Sequence, residues 1–277
     1  MKMTDEVQQF GQEYAFRLNP VTLNLYKRFT GELIEHTGKR FDEIRTRDIR
    51  NWLGDLSTDG LATSTLNTRL AGVKLFYRFC REEGMVETDP TKNLSLSKVE
   101  EKLPYYLTRE QLVILRRTVK GARERAIIET LFATGVRISE LVTMKKTDIN
   151  WSERSIHIPN GKRKKARIVL YTRECEETLK AYLDSRSDDL PFLFLNSYAT
   201  RQASKRTIQF EFKAYGETLG IVLTPHTLRH TFAAQLAIKG MPLACIQILL
   251  GHEDQNQTRH YARLYDHARK SIYDEWM

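Results

Sequence analysis

The sequence predicts a mainly α protein with one small β-sheet, divided into two domains. Three observations carry that expectation. Apolar residues repeat at helical spacing through most of the 277 residues. The repeat lapses once, in a polar stretch flanked by Pro90 and Pro104. Two β-branched runs, Ser155–Ile158 and Arg167–Leu170, flank an Asn-Gly pair and a basic tip, which is the pattern of a hairpin.

The elements follow in order. Val7 to Leu18 reads as a first helix. Asn19 before Pro20 is an N-cap with proline at the first helical position. The helix it opens carries Leu23, Tyr26, Phe29, Leu33 and Ile34 on one face and stops near Gly38. Thr46 or Asp48 starts a shorter helix through Ile49, Trp52, Leu53 and Leu56. Thr63 or Ser64 starts a long one, with Leu66, Leu70, Val73, Phe76, Tyr77 and Cys80 in register and Gly84 as its stop. These four helices make a bundle over residues 1–98. The lapse from Asp89 to Tyr106 reads as an extended linker, with the boundary itself set at 99–106. Residues 107–277 form the second domain. Thr108 with Gln111 is a capping box, and helices are predicted over 108–119 and 122–134, then, past the hairpin, over 172–184, 204–219, 225–239 and 242–250. Gly240 and Gly251 supply stops, and the apolar residues after Tyr261 suit a last short helix.

Charge separates the two parts. Residues 1–100 carry 15 basic and 15 acidic side chains, and residues 101–277 carry 29 and 20, so the whole excess of +9 sits on the second part. A basic surface attracts polyanions, nucleic acid above all. No run of eighteen apolar residues appears, so no membrane span is expected. The N-terminus is polar and acidic, unlike a signal peptide. Cys80, Cys175 and Cys245 lie far apart without metal-ligand spacing, which fits reduced thiols in the cytoplasm.

Several side chains could act on a phosphate. Arg137 follows Gly135 at the start of a short helix, with Glu140 one turn on; as an isolated segment this is as readily a structural ion pair. His226, Arg229 and His230 share one face at the start of a helix, where free N–H groups favour an anion. The i, i+4 histidine pair also has metal-site spacing. However, Thr227, Leu228 and Arg229 stand between the two, with a cation where a zinc hydrolase needs a glutamate, and no metal is expected. His230 reads as a core histidine. Lys162 lies in the basic hairpin tip, either a solvated loop lysine or a proton donor to a leaving oxygen; Lys164 and Lys165 suit backbone contacts better. His252 follows a helix stop. Tyr261, nine residues later, is either packing or a nucleophile that surrounding cations could activate.

The segments ATGVRISEL, GKRKKAR, PHTLRH, LLGH and TRHYARL, in that order, resemble the tyrosine recombinases, the phage integrase family, and in particular the simple Xer recombinases and the resolvase-type recombinases of transposons. The resemblance covers nearly the whole chain. It implies a two-domain clamp around DNA, with an N-terminal helical core-binding (SAM-like) bundle and a mixed α/β catalytic domain. It implies catalytic roles for Arg137, Lys162, His226, Arg229, His252 and Tyr261, with Glu140 supporting the first arginine. No cofactor is implied, because the strand's bond energy is kept in a 3′-phosphotyrosyl ester. Implied partners are double-stranded DNA with short inverted-repeat core sites, three further copies in a tetramer on two sites, and a second recombinase or accessory protein. The last helix would dock on a neighbouring protomer. Without the extra N-terminal segment of arm-binding integrases, dimer or cointegrate resolution ranks first. Alternatives are a phage or mobile-element integrase, a type IB topoisomerase, and a DNA-binding regulator that has lost catalysis.

Overall fold

The computed structural model describes residues 4–98, 103–159, 166–251 and 256–276. The chain forms two compact units, Met1–Glu100 and Glu101–Met277.

The first unit holds helices α1 (Asp5–Glu13), α2 (Pro20–Thr37), α3 (Thr46–Thr58) and α4 (Thr63–Glu82), with a 3₁₀ turn at Phe41–Glu43. Asn19 Oδ1 accepts the Val21 amide at 2.9 Å, and Gly38 ends α2 with φ +62°. α1 stops at Glu13 rather than running to Leu18. Asn19 must be extended to launch α2, so the chain leaves helical geometry first and continues in turns, the Leu18 amide still reaching the Tyr14 carbonyl. Val7, Phe10, Leu33, Ile49, Trp52, Val73 and Phe76 are buried together. Phe76 meets Phe10 edge-on, with centroids 5.8 Å apart. α2 and α4 touch at Gly72, where a Cβ would lie 2.8 Å from the Tyr26 ring. The stretch expected to be extended linker is partly anchored here: Leu94 joins this core, Thr46 Oγ donates to the Pro90 carbonyl, and Asn67 brackets Ser97 with two hydrogen bonds.

The second unit is built around α6 (Ala122–Thr134). Ala126, Ile127, Ile128 and Leu131 bury its apolar positions, and Arg123, Glu129, Thr130 and Thr134 are buried too. Before it, α5 (Arg109–Thr118) begins with the Thr108–Gln111 box closed in both directions. After it come the short α7 (Ile138–Leu141) and an antiparallel sheet, β1 (Ile149–Asn150), β2 (Ser155–Ile158) and β3 (Arg167–Leu170), in the order β1-β2-β3. Ile158 pairs with Arg167, and Ile156 with Val169. β1 was not read from the sequence, since two residues carry no period. Helices α8 (Arg173–Asp184), α9 (Lys205–Leu219), α10 (Pro225–Ile238), α11 (Leu243–Leu250), α12 (Asn256–Arg259) and α13 (Ala262–Trp276) complete the unit, with α8 and α10 packed on α6. α13 lies against α10, and its Leu264 and Tyr265 pack in a cluster within this same unit. No helix of the described residues is long and apolar enough to cross a membrane.

Tyr77 is buried and donates to the Phe41 carbonyl at 2.8 Å. Tyr77→Phe leaves that carbonyl without its partner and should cost about 1–2 kcal/mol. Urea unfolding followed on the first unit is the measurement; an unchanged midpoint would show that the bond contributes nothing.

Candidate active site

α10 begins at Thr224, whose Oγ accepts the Thr227 amide at 2.9 Å, and Pro225 sets the first helical turn. That start places His226, Arg229 and His230 on one side of the helix. Arg229 is 5% exposed. Its Nη1 donates to the Gly135 carbonyl and its Nη2 to the Leu250 carbonyl, the latter at 2.7 Å. These oxygens stand at the C-terminal ends of α6 and α11, where carbonyls lack helical partners and the helix dipole is negative. Both ends turn through glycine, Gly135 at φ +61° and Gly251 at φ +63°. A Cβ on Gly135 would collide with the Phe232 ring. Burial, then the charge of Arg137, lowers the Arg229 pKa to about 9, so the guanidinium stays charged at neutral pH.

Arg137 caps α7. Its amide donates to Glu140 Oε2 at 2.8 Å, its Nη1 to Oε1 at 3.1 Å and its Nη2 to the Gly251 carbonyl at 3.2 Å. Glu140 also takes both Nη groups of Arg167, at 2.9 and 2.8 Å. One buried carboxylate therefore holds the Arg167 fork, one N–H of the Arg137 guanidinium and a backbone amide. Burial alone would raise its pKa. The hydrogen bonds from Arg167 and the Arg137 amide, with the charge of both arginines, outweigh burial, and Glu140 titrates below its ordinary range. Arg167 passes beneath Gly251, where a Cβ would stand 3.1 Å from its guanidinium. Three arginines thus gather around one carboxylate, and the locality keeps a positive excess.

The histidines and the phenol complete the group. Burial, then Arg229 and Arg137, lowers the pKa of His226, so it is neutral at physiological pH. The His226 and His230 rings are 6.4 Å apart, and His230 is 6.3 Å from the Tyr261 ring. Tyr261 is 2% exposed, in the turn between α12 and α13. Its hydroxyl lies 2.6 Å from His230 Nδ1. Burial raises the phenol to about 12 against the pull of Arg229. Burial, followed by His226, Arg229 and His260, lowers His230 to about 4. Both groups are therefore neutral, and a buried phenol, which needs an acceptor, finds one in Nδ1 when the imidazole carries its hydrogen on Nε2.

The structure thus brings together Arg137, His226, Arg229 and Tyr261 of the sequence-predicted set. Lys162 in the hairpin tip and His252 after Gly251 lie outside the described residues. Two participants were misread or missed. His230 is no ordinary core histidine, because its ring nitrogen meets the phenol; its place four residues after His226 was the available signal. Arg167 was read only as part of a basic run entering a strand, and nothing local marks its partner 27 residues away.

The chain is similar to known proteins over nearly its whole length. Residues 106–268 match the Phage integrase family, and residues 20–84 match the Phage integrase N-terminal SAM-like domain. The tyrosine recombinase XerA of Thermococcus onnurineus (strain NA1) is 32% identical over 260 residues, covering 91% of this chain and 88% of that protein. The tyrosine recombinase XerC of Chlamydia muridarum (strain MoPn / Nigg) is 34% identical over 247 residues, with 85% and 78% covered. Among solved structures, the XerA recombinase crystal structure covers 99% of this chain and 98% of its own at TM-score 0.56 and 28% identity. The Tn1549 transposon integrase in complex with a circular intermediate DNA shares the fold at TM-score 0.78 and 18% identity, with both chains fully covered at 100%.

Glu140→Gln should destabilise the second unit by about 3–5 kcal/mol at pH 7, because it removes the counter-charge from buried arginines. A carboxyl with a depressed folded pKa adds stability above its ordinary value of 4.5, and that contribution is lost as pH falls through the folded value. Denaturant midpoints measured between pH 7 and pH 3 should fall on acidification in the wild type, and the share due to this group should be absent in the variant.

Proposed function

This chain belongs to the phage integrase family, the tyrosine recombinases, and we propose that it performs site-specific DNA recombination with Tyr261 as its nucleophile. The supporting observation is that the buried Tyr261 hydroxyl, His226 and the forks of Arg137 and Arg229 gather within one unit of one chain. A cluster with a positive excess and a phenol suits a phosphodiester.

Arg137 and Arg229 grip the non-bridging oxygens of the scissile phosphate through the N–H groups that their carbonyl and carboxylate partners leave free. Because protein acceptors hold both forks before DNA arrives, little reorganisation is needed at the moment of reaction. The Tyr261 oxygen gives up its phenolic proton to the neutral His226 imidazole and forms a bond to phosphorus as the bond to the 5′ oxygen breaks, leaving a 3′-phosphotyrosyl ester. Lys162 supplies the proton to the departing 5′ oxygen, and His226 and His252 hold the phosphate and assist proton movement. The ester keeps the bond energy, so a 5′ hydroxyl from another duplex reverses the step. Exchange of one strand pair and then the other passes through a Holliday junction, with neither metal nor nucleotide in the scheme. The substrate is double-stranded DNA with a short inverted-repeat core site, taken up in the cytoplasm by four protomers on two sites. The basic excess of residues 101–277 supports that partner. Resolution of dimers or cointegrates is the proposed role, supported by likeness to Xer recombinases along 91% of the chain.

Tyr261→Phe should bind DNA like the wild type and form no covalent adduct on a nicked duplex. An adduct in that variant, seen as a protein–DNA band in a denaturing gel, would remove Tyr261 from the role. Arg229→Lys should slow adduct formation about 100-fold or more, since a point charge cannot replace a fork held by two carbonyls; a near-normal rate would count against the arginine grip.

A further inference from the structure

The mechanism above gives His230 no task, yet its ring nitrogen is hydrogen-bonded to the reacting oxygen. A buried phenol needs a hydrogen-bond acceptor. Guanidinium groups offer none, so Arg137 and Arg229 cannot serve. Nδ1 of His230, 2.6 Å from the hydroxyl, does. The Tyr261 ring packs in a cluster with Ala233, Ala234 and Ala237 of α10 and with Ile246 and Leu250 of α11. That packing fixes the ring and leaves rotation about the Cζ–O bond as the main remaining freedom. The hydrogen bond removes it.

We propose that His230 is the positioning residue for the nucleophile: by accepting the phenolic hydrogen at Nδ1 it sets the direction in which the Tyr261 oxygen presents its lone pairs to the phosphate. The proposal rests on the reading of Tyr261 as nucleophile. It requires the tautomer with hydrogen on Nε2. The geometry carries orientation, because the 2.6 Å contact and the packed ring fix the hydroxyl together, and the depressed imidazole and raised phenol pKa agree with a proton that stays on oxygen in this contact. His226, one turn earlier on α10, lies within the electrostatic reach of both arginines and, among the described residues, makes no hydrogen bond to the phenol.

The test uses the full chain and a nicked duplex carrying the inverted-repeat sequence that the wild-type protein selects from a random DNA pool. His230→Asn sets an amide oxygen close to the place of Nδ1 and can still accept the hydrogen bond. His230→Leu fills the space without an acceptor. The expected result is DNA affinity within about twofold for both, adduct formation about 100-fold slower for His230→Leu, the order expected for a misplaced reacting group, and recovery to within a few-fold of wild type for His230→Asn. Wild-type speed in His230→Leu would make the hydrogen bond incidental. Equal slowness in both would show that an ionisable ring is required and would overturn orientation in favour of proton transfer. Should His230→Leu melt early, His230→Gln decides, since its amide oxygen lies one bond further out: slow adduct formation at wild-type melting temperature supports the proposal, and wild-type speed overturns it. Tyr261→Phe, run alongside, tests the nucleophile itself, so the failure of that assignment is visible separately.

Discussion

The charge of Arg229 is answered by carbonyl oxygens, at the ends of two helices, rather than by a bonded carboxylate. Those oxygens belong to residues 94 and 21 positions away in the sequence, so the contact exists only when α6, α10 and α11 are packed. An unpaired buried guanidinium would be expensive. Two helix C-termini meet that cost with groups the backbone must offer somewhere in any case. The result is a cation that is stable in the protein interior yet not neutralised, which is what binding an anion requires. The glycines that end α6 and α11 are part of the device. Each turns the chain through a left-handed conformation, and Gly135 lies so near Phe232 that a methyl group would not fit.

Glu140 handles the opposite problem. Three clustered arginines repel each other, and after burial, which is the larger cause, the charges of Arg137 and Arg167 lower the Arg229 pKa further. One carboxylate, engaged by Arg137 and Arg167 together, offsets that repulsion without cancelling the field. It also joins the start of β3, and with it the base of the hairpin, to α7, and it holds the Arg137 guanidinium that donates to the carbonyl of Gly251. Elements far apart in sequence are held in register by one acidic side chain, whose local environment keeps it ionised.

Much of the fold was legible because its signals are local. Asn19-Pro20, Thr108 with Gln111, and Thr224-Pro225 each carry their own cap, and the helices begin where those caps sit. What failed was equally physical. Tyr14 continues the apolar repeat of α1 and is buried in the core, so periodicity extended a helix that the approach to Pro20 cuts short. Thr91 and Leu94 are buried in a stretch whose composition reads as linker. In the site, the grouping of distant segments came from family likeness, since no spacing rule reveals that Glu140 meets Arg167 or that His230 meets a phenol 31 residues on.

The near-complete burial of Tyr261 has a bearing on what the protein leaves alone. A cell is crowded with small phosphate esters, from nucleotides to sugar phosphates, and many would suit a pair of arginines. None can easily reach an oxygen that lies under a packed helix turn and is already committed to an imidazole. Burial and the bond to His230 thus keep the phenol apart from whatever is dissolved around the protein.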